Sequence, residues 1–304
     1  MKKLSGPYTY QNLKDDISRL AADFPWLEIG SIGKSVWGKE LWYIRLGEGK
    51  TKLMYCGAHH GMEWITSAML MRLAEDFARA KQQSTALGGF NVKALCQRSS
   101  LYIVPMLNPD GVRLAVSGLP NRLDIKMKQY LLRINKSSDF SRWQANANGV
   151  DLNHNYDALW RKSKELEAEY GIYSPGPTRF SGRFPESEPE SRALAEFTRK
   201  QNFALTISFH SQGKVIYHGF MGKEPPNSLK IAKAFTGISP YQLDNTEGIA
   251  SFGGYKDWFV DKFNRPGYTV EVGTGQNPLP VSQLGQIYKE TLPIMLGAMT
   301  INLS

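Results

Sequence analysis

The chain has 304 residues, 41% of them hydrophobic and 21% charged, an ordinary globular composition with room for one large or two modest domains and a sizeable core. No stretch approaches eighteen consecutive apolar residues, and the basic start at Met1, Lys2 and Lys3 is followed by no apolar segment over Leu4 to Lys14. Neither membrane insertion nor an export signal is therefore expected, and the expected location is cytoplasmic. The formal charge of +9 comes from 37 Lys and Arg dispersed among 28 Asp and Glu, which suits an anionic ligand but offers no basic block for nucleic acid.

Residues 10–24 place Leu13, Ile17, Leu20 and Phe24 at helical spacing. "LEIGSIG" and "ELWYIRLG" then read as two strands bounded by glycine, a plausible hairpin. The apolar run "KLMYCGA" reads as a buried strand, "EWITSAMLMRLAEDFARA" as a helix, and "SLYIVPMLNPDG" as a strand ending in an Asn-Pro-Asp-Gly turn. Strand, helix, strand is the beginning of an α/β sheet. Residues 173–189 are rich in Pro, Gly and Ser, and Ser187 with Glu190 forms a capping-box pattern for a helix running to about residue 200. "FALTISFH" and "GYTVEV" supply two further apolar strands, each carrying a chemically capable residue at or near its end. The two cysteines, Cys56 and Cys96, lie in or after apolar runs and exclude a disulfide framework or a CxxC zinc site. With no repeat, low-complexity tract or linker, residues 1–304 read as one domain.

Open α/β sheets gather ligands at the carboxyl ends of their strands, and His60, His210 and Glu271 all lie at or near such ends. The chain has five histidines: His59, His60, His154, His210 and His218. A catalytic zinc takes three protein ligands and keeps one position open. His60, Glu63 and His210 satisfy that count, because His60 can leave a strand end while Glu63 sits in the turn entering the next helix. A bare His-x-x-Glu also occurs as a hydrogen-bonded structural pair; its neighbours decide between the two.

Those neighbours are "NPDG" at 108–111, "GVDLNHN" at 149–155, "SFHSQG" at 208–213 and "TVEVG" at 269–273. In this order they resemble the zinc carboxypeptidases of the carboxypeptidase A type, and the resemblance runs nearly from end to end. It implies an α/β fold: a single domain with a twisted mixed parallel and antiparallel sheet of about eight strands flanked by helices. It implies one Zn2+ per chain held by His60, Glu63 and His210, with Asp151 orienting the first histidine and Glu271 as the catalytic glutamate. His59 has no family role and is expected to be structural.

The departures from the pattern concern substrate binding. Carboxypeptidases hold a terminal carboxylate with an Asn-Arg pair; the matching residues here are Asn153 and His154, so the bidentate guanidinium fork is missing. Met62 stands where an arginine often precedes the zinc glutamate. Ile249, eight positions before Asp257, replaces the tyrosine that closes over the terminal residue. Gln144 follows Trp143 where a basic residue would polarise the carbonyl, with Arg142 beside it as a substitute. Three of these four changes remove features that read a free C-terminus, while the hydrolytic set remains.

"DLNHN" and "FHSQG" are similar to one bacterial branch in particular, the γ-D-glutamyl-L-diamino acid endopeptidases. That resemblance implies a peptidoglycan stem peptide or muropeptide as substrate, cut between γ-D-Glu and meso-diaminopimelate, with Arg161 and Arg183 as candidates for its carboxylates. Some members of that branch carry wall-binding LysM repeats; with 304 residues taken up by one domain, no LysM or other accessory domain is expected here. The alternatives are a metallocarboxypeptidase of altered specificity, a non-catalytic peptide-binding relative, and a zinc amidohydrolase of the deacylase type.

Overall fold

The protein is described by a computed structural model covering residues 4–245, 248 and 252–302. The first helix, α1 (Tyr10–Asp23), buries Leu13, Ile17 and Leu20, the stripe expected from their spacing. Its start is fixed by Thr9, whose hydroxyl accepts from the Asn12 amide while the Asn12 side chain accepts from the Thr9 amide. Strands β1 (Glu28–Lys34) and β2 (Glu40–Leu46) form the expected antiparallel hairpin.

After β3 (Thr51–Gly57) come a 3-10 turn at Gly61–Glu63 and α2 (Ile65–Gln83), then a two-residue hairpin of β4 (Ala86–Leu87) and β5 (Phe90–Asn91). α3 (Val92–Arg98) leads into β6 (Ser99–Val104), α4 (Pro109–Ser117) and α5 (Ile125–Asn135). A second 3-10 turn at Leu152–His154 precedes α6 (Trp160–Glu169), α7 (Pro189–Gln201), β7 (Leu205–His210) and β8 (Val215–His218). The chain continues through α8 (Ser228–Gly237), β9 (Gln242–Asp244), α9 (Tyr255–Phe263), β10 (Gly267–Glu271) and α10 (Leu284–Ala298).

Eight of these strands form one mixed sheet in the order β1-β2-β6-β3-β7-β10-β8-β9. The four central strands, β6, β3, β7 and β10, are mutually parallel. β6 and β7 are buried along their whole length, which is why they read as unbroken apolar runs: a parallel strand is covered on both faces. The alternation survives as a division between two cores. Leu53, Tyr55, Leu101, Ile103 and Ile207 face one layer with α2 and α10, while Met54, Cys56, Tyr102 and Val104 face another with α7 and α9. The expected mixed sheet flanked by helices is the fold observed.

Two local expectations are corrected. The Asn-Pro-Asp-Gly segment does not close a turn but opens α4: Asn108 caps the helix by accepting from the Gly111 amide, and Pro109 occupies the first helical position, where a missing N–H is harmless. The helix near residue 189 exists, but Ser187 and Glu190 do not form its capping box. Pro189 opens α7 with Glu188 as the cap and no side-chain cap bond. Ser187 instead bonds the Glu188 carboxylate, and Glu190 turns inward to accept from the Val36 amide and the Asn146 side chain. Both cysteines are free and buried. Among the described residues no helix is long and apolar enough to cross a membrane.

Candidate active site

The parallel register sets the site. β7 lies between β3 and β10, with Gly57 opposite Phe209 and His210 opposite Glu271, so all three strands end at one edge of the sheet. Beyond β3 the backbone turns through Ala58, whose φ of 47° lies in the left-handed region, and its amide donates to the Thr66 hydroxyl. Thr66 in turn donates to the Glu63 carbonyl, which ties the 3-10 turn to the start of α2. Gly61 is pressed against the backbone of Gly111, where an added Cβ would come within 2.4 Å of the Gly111 carbonyl. Asn108 completes the junction: its buried side-chain amide donates to the carbonyls of His59, Gln144 and Ala145.

This scaffold brings His60, Glu63 and His210 together. Glu63 Oε1 lies 2.9 Å from His60 Nδ1, Glu63 Oε2 lies 3.0 Å from His210 Nδ1, and the two Nδ1 atoms are 3.3 Å apart. Ligands on a tetrahedral zinc with bonds of about 2.0–2.1 Å sit about 3.3 Å from one another, so the donors fit one such ion with little adjustment. The outer nitrogen of His60, Nε2, is 3.0 Å from Asp151 Oδ1. A carboxylate there holds the proton on Nε2 and leaves the Nδ1 lone pair facing inward. Asp151 is itself fixed by the Arg179 amide at 2.9 Å and the Asn153 amide at 3.2 Å.

The electrostatics also favour a cation. Burial pushes the Glu63 pKa up, but His60 and His210 outweigh it and hold it at about 2. Burial likewise acts to raise Asp151, and His154 and His60 overcome it, keeping it well below the carboxylate range. For His60 burial favours the neutral ring, yet Glu63 and Asp151 raise its pKa well above the ordinary value. Glu271 is half-buried, and desolvation together with the Glu63 carboxylate pushes its pKa well up. A divalent ion held by His60, Glu63 and His210 would offset the charge of Glu63 and leave Glu271 beside it on the wall of the same cavity.

His59 sits behind the cluster. It is wholly buried, stacks on His210 with ring centroids 5.3 Å apart, and packs against Tyr156 and Tyr255. Burial and the neighbouring His210 and His60 lower its pKa well below the ordinary value, so the ring is neutral packing. His218 pairs with Glu224 at 3.0 Å, away from the cluster.

Two cavities meet at His60 and His154. The larger, about 860 Å³, is lined by Met62, Arg142, Gln144, Arg179 and Gln212 among others. The smaller, about 520 Å³, is lined by Asn153, Tyr217, Lys256, Asp257 and Glu271. Asn153 spends its side-chain oxygen on the Tyr255 amide at the start of α9. His154 Nδ1 lies 3.2 Å from Asp151 Oδ2. Thr178 bonds the side-chain oxygen of Gln144. Arg142 reaches the larger cavity from an exposed position.

Arg161 and Arg183 do not belong here. Arg161 is exposed on α6 and lines neither cavity, while Arg183 lines a separate hollow with Met127, Tyr130 and Phe184. Ile249 lies outside the described residues. The residues that sequence reasoning missed are Arg179, Lys256 and Asp257. Arg179 sits in a Pro- and Gly-rich loop with no spacing signal. The other two carry one, a pair of charges inside the otherwise apolar "YKDWFV".

Comparison with known proteins agrees with this geometry. The family model described as zinc carboxypeptidase matches residues 13–294. Gamma-D-glutamyl-L-diamino acid endopeptidase 1 of Lysinibacillus sphaericus is 39% identical over 96% of this chain and 72% of its own length. The uncharacterized protein YqgT of Bacillus subtilis (strain 168) is 33% identical over 96% of this chain and 77% of its own. Among solved structures, bovine thrombin-activatable fibrinolysis inhibitor in complex with tick carboxypeptidase inhibitor shares the fold, with a TM-score of 0.72 at 19% identity over 97% of this chain and 96% of that one. The metal-fitting cluster lies within matches that span nearly the whole chain, which belongs to the zinc carboxypeptidase family and is a metal-dependent hydrolase of peptide bonds.

Proposed function

We propose that this peptidase cuts the bond between γ-D-glutamate and meso-diaminopimelate in peptidoglycan stem peptides, with His60, Glu63 and His210 holding one zinc ion and Glu271 as general base and acid. The observation that carries the reading is the placement of Glu271 in register with His210, in a cavity shared with His60, in a chain 39% identical to an enzyme named for cutting γ-D-glutamyl-diamino acid bonds.

His60, Glu63 and His210 would hold a zinc ion that, when bound, would supply Lewis acidity to a water molecule and to the scissile carbonyl and lower the water pKa toward about 7. The chain's own residues do the rest. Glu271 takes the proton of the attacking water and delivers it to the leaving nitrogen, a contribution of about 10²–10⁴ in rate. Asp151 keeps His60 in the tautomer that presents Nδ1 to the ion. Gln144, with its oxygen already engaged by Thr178, keeps its NH₂ for a substrate acceptor. The γ-linkage leaves an α-carboxylate beside the scissile bond, and Arg142 and Arg179 bring positive charge to the cavity that would receive it.

A carboxypeptidase of altered specificity is the second reading, favoured by Lys256, a cation in the smaller cavity able to hold a terminal carboxylate. Mass spectrometry of products separates the two. Zinc-loaded protein is incubated with L-Ala-γ-D-Glu-meso-diaminopimelate and, separately, with a blocked dipeptide ending in Phe or Lys. Release of L-Ala-D-Glu and free diaminopimelate with the dipeptide untouched is the expected result; cleavage of the dipeptide alone overturns the proposal.

A further inference from the structure

We infer that a basic hollow at the amino ends of β3, β7 and β10 binds a phosphodiester chain, several phosphates at a time. The carboxyl ends of the same three strands carry the metal corner, so the hollow lies at the opposite end of the strands and the inference holds whatever the peptide substrate is.

The hollow, about 490 Å³, is walled by Lys50 and Lys52 at the start of β3, by Lys200, Gln201 and Asn202 at the end of α7, and by Arg265 just ahead of β10. No carboxylate lines it, and among the described residues none of its four cations forms an ion pair. Glu28, whose carboxylate feels the charge of Lys52, is already engaged by Arg45 and the Tyr43 hydroxyl. Lys52 Nζ donates to the side-chain oxygen of Gln201 at 3.0 Å, and Arg265 Nη1 donates to the side-chain oxygen of Asn202 at 2.8 Å. Each amide thereby gives its acceptor to a cation and keeps its NH₂. The hollow is left with four positive charges and two amide donors.

The fold needs only part of this arrangement. Arg265 closes the end of α7, its Nη1 donating also to the carbonyls of Asn202 and Phe203, and a lysine in the last turn suits the helix dipole. Those uses account for one guanidinium nitrogen and for Lys200. They leave Lys50, Lys52 and the rest of the guanidinium among like charges, which repel one another. An anion rich in acceptors removes the conflict: Arg265 offers its remaining N–H groups to phosphate oxygens, and the lysines act as point charges around them. One phosphodiester carries one negative charge, so four cations match several of them. Lys50, Lys200 and Asn202 are exposed while Lys52 and Arg265 are half-buried, so the hollow is open and a chain can continue beyond it. Its walls include no aromatic ring, so nucleobases find no stacking platform, and a polyol phosphate without bases is the matching ligand.

The test is isothermal titration calorimetry of the zinc-loaded full chain at low ionic strength, with a glycerol phosphate tetramer, with glycerol 3-phosphate and with tetra-aspartate. The tetramer is expected to bind one per chain, about ten-fold or more tighter than either of the others, and to weaken as salt is added. Combining Lys50→Gln with Lys200→Gln, both at exposed positions, should lower its affinity by about ten-fold or more, the scale of losing two contacts to charged groups. Zinc content should not change. Lys14→Gln combined with Lys289→Gln removes the same charge from exposed positions on α1 and α10, in the other helical layer, and should change affinity by less than about two-fold. Failure of the tetramer to saturate overturns the inference, as does a loss no larger in the hollow variant than in this matched control. Glycerol 3-phosphate or tetra-aspartate binding as tightly as the tetramer overturns it too. A tetranucleotide that binds about ten-fold tighter than the tetramer overturns it in favour of a nucleic-acid site.

Discussion

The metal corner and the cavity walls sit side by side, yet they are built differently. His60, Glu63 and His210 occupy strand ends and a 3-10 turn, each buried and each engaged by at least one other member of the cluster. The walls draw Arg142, Gln144 and Arg179 from loops between helices, and Lys256 and Asp257 from a helix start. The corner must hold one ion at bond length, which allows few residue types and fixed spacings. The walls must fit a particular peptide, and many loop sequences present a charge at roughly the right place.

Replacing residues in each region sharpens the contrast. The largest effect is expected at the corner: His60→Ala should lose both zinc and turnover, whereas His59→Ala should keep its zinc, since that ring only packs behind His210. Zinc analysis of the purified variants decides it, and metal loss from the His59 variant alone would reverse the assignment. Next is Glu271→Gln, expected to lower kcat by about 10²–10⁴-fold with the metal retained; turnover close to wild type would remove Glu271 as the base. On the wall, Arg179→Ala should raise KM for the tripeptide several-fold while changing kcat less, because a carboxylate contact away from the reacting atoms is made in ground and transition states alike. A pure kcat effect would count against that placement.

The smallest effect concerns support behind the wall. Burial raises the Glu190 pKa to about 8 despite hydrogen bonds from the Asn146 side chain and the Val36 amide. With the folded pKa above the unfolded one, its stabilising contribution is complete below about 4.5 and is lost as pH rises through about 8. Thermal melts of wild type should therefore decline across that window more than those of Glu190→Gln, and parallel curves would show that Glu190 does not titrate there.

The same contrast explains what the sequence revealed. The central strands were legible because burial on both faces demands unbroken apolar runs, and the corner was legible because strand ends and a short spacing carry it. β8 and β9 span only four and three residues, too short for a periodic signal. α10 was obscured by its internal Pro293. The Ser187–Glu190 pattern misled because Pro189 sets the helix start and Glu190 serves the interior. Arg161 and Arg183 were plausible only as nearby charges; the first lies exposed on α6 and the second lines a separate hollow.

Asn108 has a wider consequence. One amide grips the carbonyl of His59, beside His60 of the metal-fitting cluster, and the carbonyl of Gln144, which lines the larger cavity. Ordering either loop therefore helps to order the other, and by reciprocity whatever factor zinc adds to peptide affinity, peptide must return to zinc affinity. The enzyme should release its metal to a competing chelator more slowly while a non-cleavable peptide is bound. Occupancy by substrate then acts as a guard on the cofactor, and equal release rates with and without peptide would show that the two loops move independently.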